Sequence, residues 1–228
     1  HNRRLLQADQ QSHQLPGEKD LGGRLTDAGY PYILGSENVY SYAKTLLHAH
    51  AGFAIDWGTD AAGLQDPPGH RMNMMDSGAR EVGISILDAT PGKSTGPLLV
   101  TEDFGARASA NSFVLGVVYA DLNGDGAYQA GEGISDVDVR ISSGGQAWRT
   151  TTQSAGGYQV ELPAGSYSLQ FSSPRIGGLA YRSAVISAQN VKLDLRMSGV
   201  GATAFDHAGA NDLAYSLSGK LWLAWHDT

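Results

Sequence analysis

The chain contains no cysteine. That excludes disulfides, thiolate metal sites and a cysteine nucleophile. It leaves the compartment open, because secreted bacterial proteins can also lack cysteine. No apolar run approaches the ~20 residues a helix needs to cross a bilayer. Lysine is sparse and the net charge is -7. This argues against a nucleic-acid partner, which calls for a basic face, and suits the binding of cations. No secretory leader opens the sequence and His1 is an unusual natural start, so a fragment or a mature form is expected.

What is present is ordinary in amount and uneven in distribution. At 228 residues the chain can form one large domain or two modest ones, each with a core. An apolar fraction of 41% and a charged fraction of 17% suit a globular protein. Thirty glycines imply many turns and a β-rich or loop-rich architecture over part of the length.

Along residues 1–105 the signals are mixed. Arg4, Leu5, Ala8 and Asp9 are compatible with a helix end. The stretch from Gly22 to Tyr30 reads as a short helix closed by Gly29, which Pro31 prevents from continuing. From Tyr42 to Trp57, the residues Leu46, His50, Phe53 and Trp57 recur at helical spacing, which places His50 on the buried stripe and His48 off it. Arg71 to Ser77 could form a short helix in which Met72, Met74 and Met75 serve as core filler. Val82 to Leu87 and Leu98 to Phe104 read as two strands.

The composition shifts over residues 106–111, which look like a linker. Beyond it lie short alternating runs, Val114 to Tyr119, Val137 to Ile141, Tyr158 to Leu162, Tyr167 to Phe171 and Val191 to Leu195, separated mostly by Gly, Pro or Ser. These predict a β-sandwich over 112–198. Residues 199–228, with Leu213, Leu217, Leu221, Trp222 and Trp225, fit a helix face or a strand equally well, and their fold is left open.

Two constellations carry chemistry. In the first, His13, Glu37 and His70 are ligands of the type that bind Zn²⁺. Their setting is a series: His13, Arg24-x-x-x-Ala28-Gly29-Tyr30, Ser36-Glu37-Asn38, Trp57, Gly69-His70-Arg71-x-Asn73, Glu81-Val82-Gly83 and Val100-Thr101-x-Asp103-Phe104-Gly105. This series resembles the CAP superfamily (cysteine-rich secretory proteins, antigen 5, pathogenesis-related 1), in its bacterial branch. The resemblance implies an α-β-α sandwich, its early part incomplete here, around a cleft of two histidines and two acids. His13, Glu37 and His70 match three of the four, and Asp60 stands at the position of the second acid. It also implies an extracellular or surface location and a lipid, small-molecule or protein ligand, with zinc as a metal the cleft could take.

The second constellation is Asp121-Leu122-Asn123-Gly124-Asp125-Gly126-Ala127-Tyr128-Gln129-Ala130-Gly131-Glu132. Its oxygens stand at positions 1, 3 and 5, its turn glycine at 6, a backbone carbonyl at 7 and a glutamate at 12. Calcium is a hard ion taking 6–8 oxygens, and the pattern supplies them from Asp121, Asn123, Asp125, Ala127, Gln129 and Glu132. Strands rather than helices flank the loop, so a sensor that opens a helix pair is not expected. The loop with its preceding strand resembles the B-type repeats of bacterial surface adhesins, which implies a prealbumin-like sandwich stabilised by calcium.

The fold expected from sequence is therefore α+β, a CAP-like domain followed by an all-β sandwich. The expected role is extracellular binding or adhesion. A metal-assisted hydrolase using His13, Glu37 and His70 is the alternative, and a purely structural module of a longer surface protein is the third reading. No Gly-x-Ser-x-Gly elbow and no His-Glu-x-x-His helix is present, which places binding ahead of catalysis.

Overall fold

The computed structural model of the protein describes residues 1–108 and 111–197, together with the backbone of Ser216–Leu217 and Lys220–Leu221. The chain divides into two compact units, the first ending at Ala108. Apart from an antiparallel pairing of Ser216–Leu217 with Lys220–Leu221, the segment 199–228 lies outside the described residues.

The first unit is built on a three-stranded antiparallel sheet in the order β1-β3-β2, from β1 (Tyr32–Ala43), β2 (Glu81–Asp88) and β3 (Leu98–Arg107). The central strand β3 buries Leu99, Val100 and Phe104, and with them Thr101 and Glu102. Four helices accompany the sheet among the described residues: α1 (Asn2–Ala8), α2 (Leu21–Asp27), α3 (Leu46–Ile55) and α4 (Gly69–Met75). Their ends follow local chemistry. The Asp20 side chain accepts from the Gly23 N–H to start α2, and the Thr45 side chain accepts from the His48 N–H to start α3. Past α2, Gly29 takes φ 74°, a left-handed turn that a β-carbon would strain.

The helical stripe of α3 is narrower than the spacing predicted. Only Ala49 and Phe53 are buried within it. The helix stops at Ile55 because Asp56 turns left-handed at φ 61°, so Trp57 lies beyond the helix and is 46% exposed. Met74 is buried at 2%, but Met72 and Met75 face outward and do not fill a core.

These features overturn the expected α-β-α sandwich. The helices are short, seven to ten residues each, beside a three-stranded sheet. Ser36-Glu37-Asn38, expected as a motif of that fold, lies in the middle of a twelve-residue strand. The chain as a whole is dominated by strands.

The second unit is a β-sandwich. One sheet places β4 (Ser112–Ala120) between β7 (Gly157–Leu162) on one side and β10 (Val191–Lys192) with β11 (Leu195–Met197) on the other. The other sheet runs β6-β5-β8-β9, from β5 (Asp138–Ser143), β6 (Gln146–Thr151), β8 (Gly165–Ser173) and β9 (Gly178–Ile186). Between them Val114, Val118, Val139, Ile141, Leu169, Phe171 and Leu195 form a dry core, each contributing on the order of 1.5–3 kcal/mol by burial. Gly144 and Gly145, both at positive φ, make the two-residue turn of the β5–β6 hairpin.

The last strand of the first sheet is broken in two. β10 and β11 both run parallel to β4, and between them the Leu193 carbonyl approaches the backbone of Gly116. A β-carbon on Gly116 would lie 1.9 Å from that oxygen, so glycine is required there. Asp194 compensates for the interruption by accepting the Val117 N–H through its side chain at 3.0 Å.

Candidate functional site

The 121–132 loop begins where β4 ends and is closed at both ends by backbone pairing. The Ala120 N–H donates to the Glu132 carbonyl at 2.9 Å, and Tyr119 bridges to Gly133. This clasp sets the first and twelfth residues of the loop side by side. Gly124, Gly126 and Gly131 all have positive φ, which lets the chain coil tightly between them.

The loop backbone wraps the acidic side chains. Asp121 Oδ1 accepts from Gly124 N–H at 2.9 Å, and its Oδ2 accepts from Gly126 N–H at 3.1 Å. Asn123 Oδ1 accepts from Asp125 N–H at 3.0 Å, and Asp125 Oδ1 from Ala127 N–H at 2.8 Å. Glu132 ties the two ends, one oxygen accepting from Leu122 N–H at 3.0 Å and the other from Gln129 N–H at 2.8 Å. The Asp125 carboxyl is held below the usual carboxylate range, chiefly by the Ala127 N–H. The Tyr119 hydroxyl donates to the Gly126 carbonyl at 3.0 Å, and its ring meets Tyr128 edge-on.

The donor chemistry of this loop fits calcium. Two aspartates, an asparagine amide, a main-chain carbonyl and a glutamate are all hard oxygen donors. A cation already stands at the loop's first residue, since the Arg196 guanidinium lies 2.6 Å from Asp121 Oδ2. Among the described residues, no three His, Asp or Glu side chains converge closely enough to hold a metal by themselves. A calcium ion here would therefore draw on Asn123 and the main-chain carbonyl of Ala127 as well as on the acids, with Gln129 at the ninth position.

The first constellation is distributed differently from its expectation. His13 and Glu37 do meet: His13 Nδ1 lies 2.9 Å from Glu37 Oε1. The hydrogen bond to Glu37 raises the His13 pKa above its ordinary value. Arg24 reaches the other oxygen of Glu37 from α2 at 2.5 Å and donates to the His13 carbonyl at 2.9 Å. Across the β1–β3 ladder, Glu37 pairs in register with Asp103. Burial, then the neighbouring Glu37 charge, pushes the Asp103 carboxyl up to about 7.

His70 belongs to another group. Its Nδ1 lies 2.6 Å from Asp56 Oδ1, and its ring packs on Phe53. Asp56 is fully buried and its second oxygen accepts from Arg71 N–H at 3.2 Å. The two motifs are joined through amides instead: Asn38 Nδ2 donates to the His70 carbonyl at 3.2 Å, and Asn73 Nδ2 donates to Asn38 Oδ1 at 2.9 Å. Asp60 serves a turn, its Oδ1 accepting from Ala62 N–H at 2.9 Å and Leu64 N–H at 2.6 Å.

Sequence reasoning missed three residues that organise these sites. Asp56 could have been suspected as an aspartate ending a helix in the left-handed conformation, which Asp tolerates. Asp103 had been noted only as part of a motif, and nothing local marks it as the partner of Glu37. Arg196 had no signal at all, because its role depends on strand pairing between distant segments.

Comparison with known proteins bears on the second unit. Residues 127–198, less than half of the chain, match the sequence model of the carboxypeptidase regulatory-like domain. This agrees with the observed β-sandwich. No curated protein matches the chain. Among solved structures, a DUF3823 family protein from Parabacteroides merdae is similar at 14% identity and a TM-score of 0.30, over 39% of this chain and 46% of that one. The TIE protein of Bacillus anthracis is similar at 10% identity and a TM-score of 0.30, over 53% of this chain and 35% of that one. A leucine-rich repeat protein from Bacteroides thetaiotaomicron is similar at 12% identity and a TM-score of 0.22, over 55% and 25% of the two chains. The chain spans less than half the length of each of these structures. At such scores the structural likenesses carry no argument.

The two family resemblances drawn from sequence motifs are corrected by these findings. The family match falls on the carboxypeptidase regulatory-like domain and not on a B-type adhesin repeat. The family match does not fall on the CAP superfamily, and the chain as a whole is mainly strand. Short motifs in series reported true local contacts, such as His13 with Glu37, without specifying the family around them. No helix among the described residues is long and apolar enough to cross a membrane.

Proposed function

We propose that the second unit is a non-catalytic β-sandwich module, stiffened by calcium at the 121–132 loop, in a protein that works outside the cell. The observation that supports this reading is the pair of nearly buried carboxylates at the loop mouth. The Asp121 side chain is 1% exposed and Glu132 is 4% exposed. Two acids kept from water at the two ends of one loop favour positive charge beside them, and Arg196 supplies it to Asp121 but is paired with that residue alone of the two. A divalent ion with oxygen ligands supplies it. Mixed sites of carboxylates, amides and carbonyls in extracellular modules bind calcium at ~0.1–1 mM, a concentration met outside cells.

The test is thermal unfolding of the full chain in calcium and in chelator, with terbium luminescence sensitised by Tyr119 and Tyr128 as a direct probe of the loop. Calcium at tenfold above its dissociation constant adds about 1.4 kcal/mol, enough to raise the melting temperature by several degrees. Asp125→Ala is expected to abolish both that rise and the terbium signal. Identical melting in calcium and chelator, with no terbium signal, would rule the reading out.

The hydrolase alternative draws support from the His13–Glu37 pair only. Its third member, His70, pairs with Asp56 and not with His13 or Glu37.

A further inference from the structure

Arg196 is placed on the calcium loop by the architecture of the sandwich and not by anything in the loop sequence. Strand β11 pairs in parallel with the end of β4, setting Arg196 opposite Tyr119 and Met197 opposite Ala120. The Asp121 N–H donates to the Met197 carbonyl at 3.2 Å, which extends this pairing into the loop. Leu195, one residue earlier, faces the core at 1% exposure, so alternation turns Arg196 outward, along the surface from which the loop rises. Its guanidinium lies 2.6 Å from Asp121 Oδ2, the oxygen that also accepts from Gly126 N–H. A β-carbon on Gly126 would lie 3.2 Å from Arg196 Nη1, so the guanidinium rests against the loop backbone as well.

We propose that Arg196 is the loop's built-in counter-cation, holding the loop closed without metal and weakening its affinity for calcium. The inference rests on the calcium reading above and adds its regulation. The physics is a competition for one carboxylate. Without a metal, Asp121 is a nearly buried carboxylate paired, among the described residues, with the Arg196 side chain, which is itself 46% exposed and free to swing away. With calcium bound, the guanidinium and the ion are like charges a few ångströms apart, a repulsion that lowers affinity by a factor on the order of ten.

The arrangement has a functional consequence. A loop with its own cation stays folded in low calcium, and fills only where calcium is plentiful.

The experiment compares the full-length protein with Arg196→Gln and Arg196→Lys. Calcium affinity is measured by titration calorimetry and terbium competition, and metal-free stability by urea unfolding in chelator. Arg196→Gln is expected to bind calcium roughly tenfold more tightly and to unfold at lower urea when metal-free. Arg196→Lys keeps the charge and is expected to stay within about threefold of the parent affinity. If the parent binds calcium and Arg196→Gln binds it equally or more weakly, the counter-cation inference is overturned while the calcium reading stands. If no variant binds calcium or terbium, both fall together.

Discussion

Glu37 on β1 and Asp103 on β3 face each other across an antiparallel ladder, two acids in one register pair. The two are not equivalent. Glu37 is served by Arg24 and His13, while Oδ1 of Asp103 is buried without a hydrogen-bond partner. Burial and the Glu37 charge therefore fall on Asp103, whose carboxyl holds its proton up to about 7.

A pH dependence follows from this pair. A carboxyl whose pKa is raised by folding binds its proton more tightly in the native state, so stability falls as pH climbs from about 4 through 7. His13 acts in the same direction. Its folded pKa is raised, and the stability it contributes below its unfolded pKa is lost as pH rises through the folded value. The urea midpoint is expected to drop between pH 5 and pH 8, and Asp103→Asn to flatten that slope and raise the midpoint at pH 8. An unchanged slope in Asp103→Asn would remove Asp103 as its source.

Arg24 is the residue that makes buried Glu37 tolerable. The Glu37 side chain is 3% exposed and that of Arg24 16%. Arg24→Met leaves the carboxylate buried beside Asp103 with only His13 to oppose it, and is expected to cost about 3 kcal/mol. Adding Glu37→Gln is expected to recover part of that loss, since the uncompensated charge is then gone. Losses that simply add in the double variant would show that the two side chains act independently.

Within the 121–132 loop, Glu132 and Asp125 are expected to separate folding from the proposed calcium binding. Glu132 is buried and accepts two backbone N–H groups from opposite ends of the loop. Glu132→Ala leaves those donors unsatisfied and is expected to destabilise the protein by about 2 kcal/mol even in chelator. Asp125 is exposed, and Asp125→Ala is expected to change little in chelator while removing the calcium increment. Melting curves with and without calcium read both effects, and equal losses in chelator would collapse the distinction.

Gly116 tests the break in the last strand. A β-carbon 1.9 Å from the Leu193 carbonyl must push β10 and β11 away from β4. Gly116→Ala is expected to cost about 3 kcal/mol. Amide exchange is expected to speed up at Leu193 and Val117, whose N–H groups bond across this junction. Protection unchanged at both would mean that the strand accommodates the methyl group by moving elsewhere.

The parts of this protein legible in its sequence are those written in local patterns. Short alternating runs separated by glycine marked β4, β5, β7 and β8, because a strand with one face in a core must alternate. The calcium-type register of 121–132 was readable because each position has its own local requirement: an acid to cap the turn, a glycine to reverse it, a glutamate to close it. Strands β1, β6 and β9 left no such trace. β6 and β9 lie at the edges of their sheet, and β9 turns Leu179, Tyr181 and Val185 outward, so its pattern does not announce a buried face. β1 entered the sequence reading only through its Ser36-Glu37-Asn38 motif, and its strand form comes from pairing with β3.

Sequence alone determined which side chains could carry chemistry here: the oxygen-rich loop, the histidines, the acid of the Glu37-Asn38 pair. Tertiary structure decided which of them meet. It gave His70 to Asp56 and not to Asp60, because α3 ends in a left-handed aspartate that points back at α4. It set Asp103 against Glu37 and Arg196 against Asp121, because ladder register and parallel strand pairing join residues far apart in the chain. Motif order along a chain specifies neither, since the distance between two side chains is settled by the register and packing of the elements that bear them.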